Sequence, residues 1–278
     1  MSYPDKTPAG AASRREPIFN SPWVIVAVVG ALLAVHGAID LIGPDRADRV
    51  IAEFGFIPGR VTLAFAPDLW PELQRRAGDS PQAWEQANLA RGYVQGGAML
   101  WTLLTYAALH GSWTHVGLNA VWIVAFGPPV ARRIGAARFL ALLCLTAMAG
   151  ALAHYALNAK DFTPLIGASA ADSGLMAAAA RFMFQPGAAL GAPTGFSRSG
   201  GPERVNVPAP GLRDLLRDRR AVLFIAIWLV TNFIFGAGAE SFGLAEGPVA
   251  WIAHVGGFAA GFLLFPLFDR RMAEPGAR

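Results

Sequence analysis

Cysteine is almost missing from this chain. Cys144 stands alone, so no intramolecular disulfide can form and the disulfide-stapled scaffolds are excluded. It sits mid-run among leucines and reads as packing. Charge is scarce as well: Asp, Glu, Lys and Arg make up 15% of the 278 residues, against about 25% in a soluble domain. The shortage falls in blocks, which is the pattern of a polytopic membrane protein. A net charge of +4 and a pI near 9.7 raise the question of nucleic acid. The arginines flank apolar runs instead of forming one patch, which argues against that class. No cleavable leader is expected: the stretch through Arg15 is polar. The first apolar run, Trp23 to Leu41, lacks a small-x-small cleavage site and reads as a signal anchor. There is no internal repeat and no period-2 alternation of a barrel.

What the chain does have is apolar runs. A bilayer core takes about 20 apolar residues per helix, and six runs approach that: Trp23–Leu41, His115–Val130, Phe139–Leu157, Pro164–Phe184, Ala221–Gly238 and Pro248–Phe268. Backbone polar groups must be satisfied internally in lipid, so these are expected to be helices. The expected layout is an N-terminal tail (1–22), a six-helix membrane domain (23–268) and a short C-terminal tail (269–278). With the N-terminus in the cytoplasm, sixteen of the 23 basic residues fall inside and seven outside. The positive-inside rule thus favours both termini in the cytoplasm, and the composition suggests a bacterial inner membrane. Residues 44–100 form an external loop whose Trp70, Trp84 and Trp101 suit the membrane interface. Residues 185–220 form an internal loop, Gly/Pro/Ser-rich and then basic, a linker with a segment suited to anionic headgroups.

Polar residues inside such runs are costly and point to function. Ser169 lies in Gly167-Ala-Ser169-Ala-Ala-Asp172-Ser173-Gly174, and His254 in Ala253-His254-Val-Gly-Gly257-Phe-Ala-Ala-Gly261. A serine and a histidine suggest a nucleophile and its base. The fourth run carries small residues, and His254, Gly257 and Gly261 share one face of the sixth, so the two helices can approach closely. In the second run, His115 and Asn119 share a face and offer donors to a developing oxyanion.

Each element has a plainer reading. Ser169-Ala-Ala-Asp172 matches a capping box, and Asp172 is a first-turn partner of the helix dipole. Ser173 competes as nucleophile but lacks the preceding Gly-x element. His36, His154 and Asp40 have no evident partner, and Trp113, Trp122, Trp228 and Trp251 read as packing or interfacial anchors.

The His110-x4-His115-x3-Asn119, Gly167-x-Ser169 and Ala253-His254-x2-Gly257-x3-Gly261 elements, in that order, resemble the rhomboid family of intramembrane serine proteases over roughly residues 110–269. The resemblance implies an all-α membrane protein, a six-transmembrane-helix bundle with a Ser169–His254 dyad and no third acid. It further implies oxyanion donors at His115 and Asn119, transmembrane protein substrates cut near the outer face, and no cofactor. Three positions depart from the pattern. Ala170 replaces a glycine and is expected to crowd the site. Trp101-Thr102 replaces Trp-Arg, which bears on loop stability. Ser173 replaces a common aromatic, which is expected to leave His254 more loosely held. Segment 239–247, with Gly236 and Gly238 before it and Gly243 and Gly247 within it, is a candidate gate. A catalytically inactive client-binding relative is the rival reading. A proton-relay transporter is disfavoured by the missing repeats and few buried charges.

Overall fold

A computed structural model describes residues 21–77, 98–185, 209–238 and 250–269. The N-terminal tail through residue 20, residues 78–97 of the external loop with Trp84, most of the internal loop, the gate segment 239–247 and the C-terminal tail from residue 270 lie outside the described residues. The elements are α1 (Trp23–Leu41), α2 (Pro44–Phe54), α3 (Pro58–Phe65), α4 (Trp70–Ala77), α5 (Thr102–Thr105), α6 (Trp113–Ile134), α7 (Ala136–Asn158), α8 (Ser169–Ala180), α9 (Leu212–Leu215), α10 (Arg219–Gly238) and α11 (Trp251–Phe268). No strand occurs among the described residues, only an isolated bridge between Phe56 and Leu165. By length and apolarity, α1, α7 and α11 each suffice to cross a membrane.

The fourth apolar run departs from expectation. Only Ser169–Ala180 is helical, 12 residues, or roughly 18 Å at about 1.5 Å per residue. That is well short of a hydrocarbon core of about 30 Å. The reason is local. Gly167 takes φ +110°, a backbone state open to glycine, and the chain before it runs extended. Leu165 exchanges two backbone hydrogen bonds with Phe56, and Gly167 N–H donates to the Tyr106 carbonyl at 3.0 Å. A short helix with no exposed residue is the outcome.

Glycine sets the packing around α8. A methyl at Gly257 would strike the Ala170 carbonyl, and one at Gly261 the Gly174 carbonyl, so α11 lies backbone to backbone along α8 in parallel register. On the α7 side, methyls at Gly150 and Gly174 would strike Ala170 and Thr146, in antiparallel register. Gly117, in α6, faces open space. Gly257→Ala is therefore expected to part the helices and lower the thermal midpoint by many degrees. Gly117→Ala should raise it slightly, by the ~0.4–1 kcal/mol typical of an unstrained Gly→Ala change. Thermal unfolding of both variants in detergent checks the pair.

At the end of the bundle away from Ser169, Arg133 and Asp269 form a buried ion pair at 2.7 Å, the guanidinium lying over the Phe182 ring. At the near end, the described part of the expected external loop, 44–77, is helical for much of its length. Its first part docks on the segment leading to Ser169: besides the Phe56–Leu165 pair, Gly59 N–H donates to the Asp161 carbonyl at 2.7 Å. Arg60, fully buried, donates to the carbonyls of Ala52 (2.6 Å) and Gly55 (3.0 Å) and so staples α2 to α3. Thr102, where the family pattern has arginine, is buried and its hydroxyl donates to the Met99 carbonyl at 2.7 Å.

Candidate active site

Ser169 opens α8, and His254 lies one turn into α11, just before Gly257. Because Gly257 rests on Ala170, the parallel register brings the two side chains to the same depth. The Ser169 Oγ–H donates to His254 Nε2 at 2.8 Å. Both residues are half-buried, so the pair is sheltered yet reachable.

The capping-box alternative does not form. Ser169 is the first helical residue, Ala168 takes the N-cap position without a side-chain bond, and the serine hydroxyl is engaged by the histidine. Asp172 is buried, with neither carboxylate oxygen hydrogen-bonded among the described residues, so it serves as no third member of the pair. The Ser173 hydroxyl donates to the Ser169 carbonyl at 2.8 Å, which occupies it one turn below Ser169.

His115 and Asn119 both face Gly167. A methyl on that glycine would lie 2.6 Å from His115 Nε2 and 3.7 Å from Asn119 Nδ2. Gly167 thus has two reasons to be glycine, its φ and this close approach. The Asn119 amide nitrogen is buried and without a hydrogen-bond partner among the described residues. An unpaired buried donor is costly, and here it stands beside the turn that delivers Ser169. His115 is held by its own helix start, where its N–H donates to the Ser112 hydroxyl at 3.2 Å. Its ring meets His110 edge-on at 5.0 Å.

His110 supports the same turn. Its Nε2 accepts from the Ala168 N–H at 3.4 Å. Burial, helped by nearby His115, pushes its pKa down to about 4, so the ring stays neutral and its acceptor stays available through the physiological range. Two residues that looked unpartnered in sequence have partners. His36 Nδ1 donates to the His110 carbonyl at 3.1 Å, and Asp40 accepts from the Trp113 indole at 3.3 Å.

Ala170 does not crowd the pair, contrary to expectation. Its methyl lies against Gly150 of α7, which has no side chain in the way, and the Ser169–His254 bond forms with alanine in place. Ala170→Gly is therefore expected to leave the rate of Ser169 acylation unchanged. It should lower the thermal midpoint by an amount near the ~0.5–1 kcal/mol cost of a helical glycine. Single-turnover labelling and melting curves of the two forms check this.

The missing aromatic at Ser173 is likewise offset, by a residue not singled out from the sequence. Asn232 of α10 is buried. Its Oδ1 accepts from His254 Nδ1 at 2.7 Å, and its Nδ2 donates to the Trp251 carbonyl at 3.2 Å. The signal was available as an asparagine inside an apolar run, but no spacing rule tied it to His254. Among the described residues no cluster suited to a metal ion occurs.

An apolar bundle, helical through its described residues, with a serine–histidine pair between two of its helices is the architecture of an integral membrane protein. The sequence model of the Rhomboid domain matches residues 97–271, well over half of the chain, and the chain belongs to the rhomboid family. A protein of Bacillus subtilis (strain 168), YdcA, whose name gives it only provisionally as a rhomboid protease, is 35% identical over 75 residues. That match covers 27% of this chain and 37% of YdcA.

Proposed function

We propose that this chain is an intramembrane serine endopeptidase that cuts transmembrane protein substrates near the outer face of a bacterial inner membrane. A six-span bundle with both termini in the cytoplasm completes the reading. The observation that carries it is the 2.8 Å bond from Ser169 Oγ to His254 Nε2, inside a chain of the rhomboid family. Ser169 attacks the scissile carbonyl while Nε2 takes its proton, and the same proton is then given to the leaving amine. Asn119 and His115 donate to the oxyanion as it develops. Water enters from the external end, where the half-buried pair is reachable, and hydrolyses the acyl-enzyme.

Support for the oxyanion role comes from Asn119 Nδ2, an unspent buried donor at the Gly167 turn. A fluorophosphonate probe, followed by peptide mapping, tests the reading. Covalent modification at Ser169, lost in His254→Ala, is the expected result. A folded wild-type protein that neither reacts nor cleaves several transmembrane reporters would instead point to the client-binding rival.

A further inference from the structure

Asn232 is expensive where it stands. Its helix, α10, reads Arg-Arg-Ala-Val-Leu-Phe-Ile-Ala-Ile-Trp-Leu-Val-Thr-Asn232-Phe-Ile-Phe-Gly-Ala-Gly, and an amide in such surroundings must have its hydrogen bonds satisfied. Both ends of the amide are used. The Trp251 carbonyl can only accept, so it takes the Nδ2–H at 3.2 Å. That leaves Oδ1 to face His254 Nδ1 at 2.7 Å. Oδ1 can only accept in turn, so Nδ1 carries a hydrogen. A neutral imidazole has one N–H, and Nε2 is therefore bare, pointing at the Ser169 hydroxyl at 2.8 Å. A backbone carbonyl thus orients an amide, and the amide selects the tautomer that can act as a base.

We infer that Asn232 is the positioning residue of the catalytic base, an uncharged third member of a Ser169–His254–Asn232 relay. The inference rests on the protease reading above and adds to it. As Ser169 Oγ bonds to the scissile carbon, its proton moves to Nε2 and the carbonyl π pair moves onto oxygen. The resulting imidazolium keeps its Nδ1–H on the Asn232 oxygen. When the tetrahedral species collapses, the C–N pair leaves with the amine and takes the Nε2 proton. An acid at this position would add full charge stabilisation; an amide contributes orientation and a dipole.

The plainer alternative is that Asn232 only pins α10 to α11. The test uses the full chain in detergent. It measures kcat and KM on a transmembrane reporter and the pH profile of fluorophosphonate labelling at Ser169. Asn232→Ala is expected to lower kcat and the labelling rate by on the order of 10–100-fold, taking as guide the cost of losing the outer-shell partner that orients a metal-bound histidine, with KM little changed. Asn232→Asp keeps an acceptor on Nδ1–H. It should restore most of the rate and move the acidic limb of the profile to higher pH, because a carboxylate favours the protonated imidazole, which cannot serve as the base. A pinning role predicts a lower thermal midpoint in Asn232→Ala, no rescue by aspartate and an unmoved limb, and that outcome overturns the inference.

A measurement on the unaltered protein reads the tautomer directly. The ¹⁵N-histidine spectrum, with His254 assigned by its loss in His254→Ala, should show Nδ1 protonated and Nε2 bare; the reverse tautomer also overturns the inference. The two levels separate cleanly. A wild-type protein unreactive at Ser169 sinks the protease reading itself, whereas a reactive wild type matched by Asn232→Ala sinks only the role of Asn232.

Discussion

Ser169→Ala is expected to end both probe labelling and reporter cleavage while leaving the bundle intact. The change removes one half-buried hydroxyl whose described hydrogen bond is to His254, so the thermal midpoint should hardly move. His254→Ala is expected to be as severe. In hydrolases of this chemistry, losing the nucleophile or the base costs about 10⁶ in kcat, and losing both costs little more. Turnover of a reporter in liposomes by the two single variants and the double variant measures this. Ser173 cannot stand in, because its hydroxyl is committed to the Ser169 carbonyl. Wild-type turnover in Ser169→Ala would end the mechanism outright.

Asn119→Ala is expected to separate stability from rate. Removing an oxyanion donor typically costs about 10²–10³ in kcat. Yet the donor has no hydrogen-bond partner among the described residues, and deleting a buried unsatisfied group does not weaken a fold by losing a bond. Turnover should therefore fall by that order while the thermal midpoint holds or rises. His115→Ala should show a comparable loss of rate together with a lower midpoint, since its ring also packs on His110. If both variants turn over like the wild type, the proposed oxyanion site is wrong.

Much of this arrangement was legible in the sequence, for identifiable reasons. Apolar runs announce helices, and the face shared by His254, Gly257 and Gly261 announces a close neighbour. The length of α8 was not legible, because an apolar run says nothing of the backbone turn at Gly167 that ends the extended segment. Nor was the fit of Ala170. That depends on Gly150 lying opposite it, a matter of register between helices that no single run encodes. Asn232 was visible as a polar residue in lipid-like surroundings but not as a partner of His254, since their 22-residue separation follows no helical period. His36 and Asp40 were unreadable for the same reason: their partners come from around the start of α6.

The backbone contact of α8 with α11 has a consequence for biogenesis. Ser169 and His254 are 85 residues apart in the chain, which a ribosome covers in roughly 4–17 s at about 5–20 residues per second. Throughout that interval the serine has been made and its histidine has not. The groove on α8 bounded by Ala170 and Gly174 is then bare, and the hydroxyl faces no base. If the proposed function holds, a nascent chain of this design is inert while its neighbours in the insertion machinery are within reach. It becomes competent only when Gly257 and Gly261 settle onto α8 and carry His254 into place. On that reading, the order in which the helices are synthesised itself delays the meeting of Ser169 and His254.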